Sequence, residues 1–557
     1  MTRHITSLIL LAAVILPAKA QTTTAHNLDV AKQLEIFCTL YRNLDMMYVD
    51  SLDAAEVVGS GINAMLSTLD PYTEYYPNED VKNLKTMLTG KYGGIGSVIS
   101  YDLTSGYTLI NQPYEGMPAH EAGLKKGDII VAIDGEEMKD KGTSYVSEHL
   151  RGNPGTSFML TYRRPGTEKA KSVRITRRAI QTPPIPYYGM LNDSVGFIAL
   201  EQFTDDCSKD MRHAVISLKQ QGMRSLVLDL RGNTGGSLSE AVKILNLFLP
   251  KDLDIVKTKG KMARTNVTYK TSAMPIDTIM PIAVLVNGNT ASASEITCGT
   301  IQDFDRGVVI GSKTFGKGLV QMPMSLPYNT KMKLTTSHYY IPSGRCIQAI
   351  NYRRGSKEAV ADSLRQEFKT RNGRTVRDGG GIMPDVEVRP DSLPNIAYYL
   401  TNAGLDSTNV MMRYVVDYVS RHPSIAPART FTLSDSDYDD FKRYVIDAGF
   451  KYDRESERYL ENLVKVAKFE GYYDKARKEF DALQAKFRHD LNDELDFHKH
   501  VIMQALNADI VACYYFERGV VENSLQFDKQ VKEALSILND KKRYDTILGK
   551  RQDVTKK

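Results

Sequence analysis

Val286-Asn287-Gly288-Asn289-Thr290-Ala291-Ser292-Ala293-Ser294-Glu295-Ile296 carries an apolar strand into a run of small residues and out into a helical pattern. A strand-to-helix junction of this kind exposes a hydroxyl and aims unpaired backbone N–H groups at one point, where negative charge developing on a substrate is stabilised. Ser292 is therefore a candidate nucleophile. The same letters also spell a capping box, with Glu295 three residues after Ser292, and Thr290 is an alternative cap. A base has to come from elsewhere in the chain.

Working outward, residues 195–200, 225–230 and 282–286 read as buried strands separated by helical patterns at 208–220 and 237–248. This βαβ order predicts a mixed α/β core over 181–395, with a contribution from the N-terminal region. The core pattern continues through a strand at 307–310 and a hairpin over 318–340. A charged tract at 353–375 reads as a weakly ordered insertion ahead of Gly379-Gly380-Gly381. Before the core, residues 90–180 are glycine-punctuated β runs, and Pro183, Pro184 and Pro186 make a stiff exit from them.

The flanks are helical. In the region 21–89, Leu34, Phe37, Tyr41, Leu44 and Tyr48 recur at spacings of three and four, and Pro71 closes the pattern. Beyond 396, Tyr459, Leu463 and Val466 show the same spacing among many charges, which predicts a helical accessory domain over 396–557. The fold class is thus a multidomain α/β chain: a mixed α/β core, an inserted β-rich domain and a C-terminal helical domain.

Composition narrows the function. A chain of 557 residues is too long for one compact module, and a formal net charge of only +5 supplies no polyanion-binding signature, so nucleic acid is not an expected partner. Arg3 and His4 precede an apolar run at 5–16, and Ala18-Lys19-Ala20 fits a small-x-small cleavage pattern, so residues 1–20 read as an export signal. That run is shorter than the roughly 20 residues a membrane span needs, and no later segment sustains such length without charge. No cysteine follows the cleavage point to carry a lipid, so an exported, periplasmic protein is expected. The 5 cysteines are odd in number and scattered, unlike a disulfide framework.

The second chemical tract is Gly311-Ser312-Lys313-Thr314-Phe315-Gly316-Lys317-Gly318-Leu319-Val320-Gln321. Glycines on both sides leave the Lys317 amine unobstructed, and burial would lower its proton affinity from about 10.4 toward the range of a general base. A charged hairpin tip is the bland alternative. The tract resembles a phosphate-binding loop until Gly318 occupies the position of the Mg²⁺-binding hydroxyl, and the residues that follow read as strand, so nucleotide chemistry is disfavoured. A third tract, Leu228-Asp229-Leu230-Arg231-Gly232-Asn233-Thr234-Gly235-Gly236, leaves a strand through a glycine turn. Its amides pair with that of Ala293 as a candidate oxyanion hole, or simply form a turn. His213, His338, His498 and His500 fit no H-E-x-x-H or zinc pattern, and no G-x-S-x-G elbow surrounds Ser292. No metal and no cofactor is expected. In the β-rich domain, Gly93, Gly94 and Gly96 leave amides near the start of a strand, suited to capturing a terminal carboxylate.

These tracts, with Leu69-Asp70-Pro71-Tyr72-Thr73, the segment 122–135, Lys333-Leu334-Thr335-Thr336, 340–344 with Gln348, and 378–386, together resemble the carboxyl-terminal processing peptidases, or tail-specific proteases. The resemblance covers roughly residues 72–386. It implies a serine endopeptidase in which Ser292 is the nucleophile, Lys317 the general base and Gln321 the residue supporting the lysine. It further implies an oxyanion hole from Ala293 and the Gly235/Gly236 pair, and a PDZ-like domain whose Gly94-Ile95-Gly96 loop binds apolar carboxyl termini of protein or peptide substrates. Departures are Thr290 for a frequent serine, Thr234 for a common proline, and Tyr72 where histidine is frequent. The rival expectation is a noncatalytic periplasmic peptide-binding or scaffold protein, and the helical regions leave room for homo-oligomerisation.

Overall fold

The computed structural model describes residues 24–167, 169–353, 356–389, 393–401, 409–452, 454–487 and 490–550. The export signal expected at 1–20 lies outside the described residues. The core is a six-stranded sheet in the order Tyr187–Met190, Val195–Ala199, Ser225–Asp229, Ile282–Val286, Val308–Gly311, Val386–Glu387. Only the first strand is antiparallel to its neighbour. Continuous apolar runs such as Ile-Ala-Val-Leu-Val demand cover on both faces, because consecutive side chains point to opposite sides of a strand. Ile198, Leu228, Val284 and Val309 face the helices Cys207–Gln220, Leu238–Leu245 and Ala293–Asp303. Phe197, Val227, Ala283, Leu285 and Ile310 face the other way, against Val531, Ala534, Ile537 and Tyr544 of the helices Lys529–Asn539 and Lys541–Ile547. The last two helices of the chain therefore complete the α/β core, where the sequence reading assigned them to the accessory domain.

A second sheet lies beside the first. Its order is Glu74–Tyr76, Lys331–Tyr340, Asp254–Gly260, Thr268–Lys270, with Leu319–Ser325 paired to Lys331–Tyr340 as the expected hairpin. The N-terminal contribution to the core is the strand Glu74–Tyr76, with Glu74 opposite Lys333. The tract 353–375, expected to be weakly ordered, instead includes parts of two short hairpins, Ile350–Arg353 with Ser356–Ala359 and Glu367–Lys369 with Thr375–Arg377. Composition misleads here because the charges are used internally: Arg374 bonds Asp305 at 2.6 Å and Asp385 at 2.5 Å, tying the second hairpin to the core.

The β-rich domain is a sheet of Ser97–Asp102, Tyr107–Pro113, Ile129–Ile133, Ser157–Arg163 and Lys171–Thr176, with Glu136–Glu137 at its side and the helix Thr143–Leu150 against it. Chain entry and exit pair as Lys91–Gly94 with Arg178–Gln181, which makes the domain a true insertion. The C-terminal helices from Asn395 to Ser524 bury their own cluster around Tyr414, Tyr438, Phe441 and Ile510 and dock on this domain. The docking contacts include Lys126 to Asp509 at 3.0 Å, Gln112 to Glu517 at 3.3 Å, and Val416 over Gly127. The helix Glu455–Phe469 forms as expected, but it buries Leu460, Val464 and Ala467 and turns Tyr459, Leu463 and Val466 outward. Spacing alone does not choose between two apolar stripes one residue apart.

Because Ile537 closes the far face of the sheet, Ile537→Ala is expected to cost about 2–5 kcal/mol in urea unfolding of the core. Leu463→Ser on the outward stripe should stay within about 0.5 kcal/mol. Equal effects of the two would contradict this division of the C-terminal helices.

Candidate active site

Ser292 stands between the strand Ile282–Val286 and the helix Ala293–Asp303 with φ 56° and ψ −115°. A positive φ at a residue with a Cβ costs on the order of 1–3 kcal/mol and persists only where the surroundings over-determine it. Here they do. The Ala291 amide donates to Asn233 O at 3.0 Å, the Thr290 hydroxyl to Leu230 O at 2.8 Å, and the Ser294 hydroxyl to Asn233 O at 2.9 Å. The Ser292 carbonyl accepts from the Ile296 amide at 2.9 Å and the Tyr339 hydroxyl at 3.3 Å.

The strongest tie is Glu295. Its side chain is fully buried and accepts from the amides of Ser292 and Lys317, both at 2.9 Å and both on Oε2. On Oε1 it accepts from the Gly316 amide at 2.7 Å and the Thr314 hydroxyl at 2.5 Å. Burial pushes its carboxyl up to about 7, against the pull of these donors. The folded chain thus holds this proton more tightly than the unfolded chain, and the group's contribution to stability falls as pH rises from the ordinary carboxylate range toward 7. Its value is positional, since one oxygen joins the backbones of the two residues expected to do the chemistry. By sequence Glu295 is a capping partner only, and nothing in its spacing announces the second segment it binds.

Lys317 is half-buried. Gly316 is required by its φ of 88° and by the Ala349 Cβ, which would lie 2.4 Å from an added Cβ, while the Gly318 amide donates to Gln348 Oε1 at 2.6 Å. Burial lowers the proton affinity of the amine, Lys333 lowers it further, and Glu74, Glu295 and Asp70 oppose. Gln321, expected to support the lysine, donates to the Thr335 hydroxyl at 3.1 Å, and Thr335 donates to Asp70 at 3.2 Å. Among the described residues, no hydrogen bond joins the Lys317 amine to Ser292 or to Gln321. Catalytic contacts of this kind often tighten only when substrate is bound.

The two glycines of the turn are held differently. The Gly235 amide is committed to Asn233 Oδ1 at 2.8 Å, and Asn233 is itself fully buried with its Nδ2 on Leu200 O at 2.7 Å. Gly235 has a different use: an added Cβ would lie 2.8 Å from Ser292 Cβ and 2.9 Å from Ala293 N, so only glycine permits this approach. Among the described residues the Gly236 amide has no protein acceptor. Asn233 lies inside the quoted tract, but nothing in the sequence gives it a role of its own.

In the inserted domain, Gly94, Ile95 and Gly96 are buried at the head of the strand Ser97–Asp102. The Ile95 carbonyl accepts from Ala119 and the Gly96 carbonyl from Tyr114, both at 2.9 Å, and Met117 packs where a Gly96 Cβ would be. Among the described residues the Ile95 and Gly96 amides have no protein acceptor, the arrangement that carboxylate capture needs. Among the described residues, no group of three or more His, Cys, Asp or Glu side chains is placed to hold a metal ion.

A model of peptidase family S41 matches residues 194–354, and a PDZ-domain model matches 109–164. A third model, described as "Probable PDZ-protease, C-terminal helical domain", matches 401–538. The chain is 32% identical over 346 residues to a carboxy-terminal-processing protease of Bartonella bacilliformis, covering 61% of this chain and 79% of that protein. It is 32% identical over 309 residues to a Staphylococcus aureus protein named "Probable CtpA-like serine protease", covering 55% of this chain and 61% of that protein. Among solved structures, the photosystem II D1 C-terminal processing protease aligns at 24% identity with a TM-score of 0.35, over 64% of this chain and 88% of that one.

If the Lys317 amine is the titrating base, kcat/KM for peptide hydrolysis rises with pH along a limb set by its proton affinity. Lys333→Met removes a positive neighbour and should move that limb to higher pH. Glu74→Gln removes a negative neighbour and should move it lower. Two unmoved limbs would dismiss Lys317 as the group that titrates.

Proposed function

The chain belongs to peptidase family S41, and from that membership we propose that it cleaves exported proteins through Ser292 and Lys317 after capturing their carboxyl termini on its PDZ-like domain. The protein is a serine-type endopeptidase acting on exposed carboxyl-terminal tails. In the reading we favour, the neutral Lys317 amine takes the Ser292 proton: the O–H bond breaks, an N–H bond forms, and Oγ attacks the peptide carbonyl. The Gly236 and Ala293 amides bind the oxyanion of the tetrahedral intermediate. The ammonium then returns its proton to the leaving amine, and water, with Lys317 again as base, hydrolyses the acyl-enzyme. What carries this reading is the buried Glu295 carboxylate, which draws the Ser292 and Lys317 backbones onto one oxygen.

Substrate capture is assigned to Gly94, Ile95 and Gly96: Gly94 ends the stem strand, and the Ile95 and Gly96 amides, without a protein acceptor among the described residues, suit a terminal carboxylate, with the open strand beyond them accepting the tail as an added strand. Export to the periplasm is the localisation we favour, on the strength of the signal-like segment 1–20. No helix among the described residues is long and apolar enough to cross a membrane. Self-association is assigned to the helix Thr24–Met47, whose Leu34 and Phe37 are exposed and stand in register with Tyr41 and Leu44 at coiled-coil spacing. Leu34→Asp with Phe37→Asp should convert an oligomer to monomer in light scattering. A wild type that is already monomeric would remove the assignment.

The purified protein should cleave an unfolded substrate with an apolar carboxyl terminus, and amidating that terminus should raise KM with little change in kcat. Ser292→Ala and Lys317→Ala should each abolish turnover while the protein stays folded by circular dichroism. Full activity in either variant would end the dyad assignment, and tail binding without cleavage in the wild type would favour the scaffold reading.

A further inference from the structure

Tyr72 has no part in the mechanism above, yet it is the aromatic neighbour of the amine. The Lys317 Nζ lies 4.3 Å from the centroid of the Tyr72 ring, well inside the ~6 Å over which a ring face attracts a cation. The ring is not free to drift. Tyr352 packs edge-on against it, with centroids 6.0 Å apart at 89°, and the two hydroxyls are 3.5 Å apart. The backbone beneath is a clamped turn in which Asp70 accepts from the Tyr72 and Thr73 amides, each at 2.8 Å, and from the Thr73 hydroxyl at 3.0 Å. Thr73 in turn accepts from the Thr335 amide at 3.2 Å, which fixes this turn to the strand Lys331–Tyr340.

We propose that Tyr72 is a positioning residue whose ring face receives the ammonium formed on Lys317 as it takes the Ser292 proton. This rests on Lys317 being the base. When the Ser292 O–H bond breaks and the N–H bond forms, the amine passes from neutral to positive inside a shielded site. The ring quadrupole attracts the ammonium and is nearly indifferent to the neutral amine, so its contribution appears only as charge develops. Burial and the hydrogen bond with Tyr352 keep the phenol protonated, so the ring acts through its face and not as an anion. The charged groups facing the amine are Lys333 on the strand Lys331–Tyr340, Glu74 on Glu74–Tyr76, Glu295 on Ala293–Asp303, and Asp70 in the turn. Burial and Lys333 weaken the base, and the Tyr72 face works with the three carboxylates to keep it strong enough to deprotonate a serine.

The test is the pH profile of kcat/KM for the wild type, Tyr72→Phe, Tyr72→Leu and Tyr72→Met. Phenylalanine keeps the ring face and should leave both the limb and the plateau close to those of the wild type. Leucine and methionine keep the bulk but lose the quadrupole. Each should lower the plateau by about 3- to 10-fold, the rate equivalent of such a contact, and move the limb to lower pH. A purely steric shield predicts otherwise, because a looser cover lets water reach the ammonium and moves the limb up or not at all. A plateau that falls without a downward shift of the limb, or a phenylalanine variant that behaves like leucine, would overturn the proposal. Turnover that survives Lys317→Ala is a separate result, removing the dyad and this proposal with it.

Discussion

A fully buried carboxyl is an expensive object, and Glu295 shows what it secures. Its two oxygens accept four donors from three places in the chain: the helix start, the Thr314 hydroxyl, and the glycine-flanked loop of Gly316 and Lys317. Backbone amides cannot be moved by rotamer changes, so tying two of them to one oxygen fixes main chain against main chain. The positive φ of Ser292 belongs to the same construction, since the turn that delivers its hydroxyl also delivers its amide to Glu295. Strain at the serine and desolvation at the carboxyl are both offset by this shared network.

That network needs a rigid support, and the two sheets supply it. Residues at the carboxyl ends of Ser225–Asp229, Ile282–Val286 and Val308–Gly311 all emerge at one edge, which is why the glycine turn, the serine turn and the lysine loop meet there. The second sheet contributes from the side: Lys331–Tyr340 brings Tyr339 to the Ser292 carbonyl and Thr335 to Asp70, and its partner strand brings Glu74 opposite Lys333. Covering the far face of the first sheet falls to the last helices of the chain. Arg231, just after the third core strand, pairs with Asp229 and with Asp528 at 2.6 Å, linking the glycine turn to the start of those helices. The inserted domain is held twice, by its own two-stranded stem and by the docked helical domain, so the Gly94–Gly96 loop is carried on a defined frame.

Particular residues show where reading the letters succeeds. The core strands announced themselves because a strand buried on both faces has no polar positions to spare. The site tracts announced themselves because close backbone approach leaves glycine as the only tolerated residue, as at Gly235 and Gly316. Other residues kept silent. Tyr459, Leu463 and Val466 have the spacing of a buried stripe, yet the neighbouring stripe of Leu460, Val464 and Ala467 faces inward, because helical spacing gives the period and not the phase. The charges of 353–375 looked like solvent-seeking letters until Arg374 met Asp305 and Asp385.

What the amino-acid order determined by itself was local: strand and helix periods, the turns that only glycine can make, and a hydroxyl and an amine in tracts of recognisable composition. Tertiary structure decided everything that joins residues far apart in the chain. It gave the Gly235 amide to Asn233, turned Gln321 toward Thr335, set Tyr72 under the Lys317 amine and recruited the helices Lys529–Asn539 and Lys541–Ile547 to the sheet. The physical reason is that periodicity and turn chemistry act over a few residues. Hydrogen bonds, desolvation and ring faces act across whatever the fold brings within a few ångströms, and no spacing in the sequence records that distance.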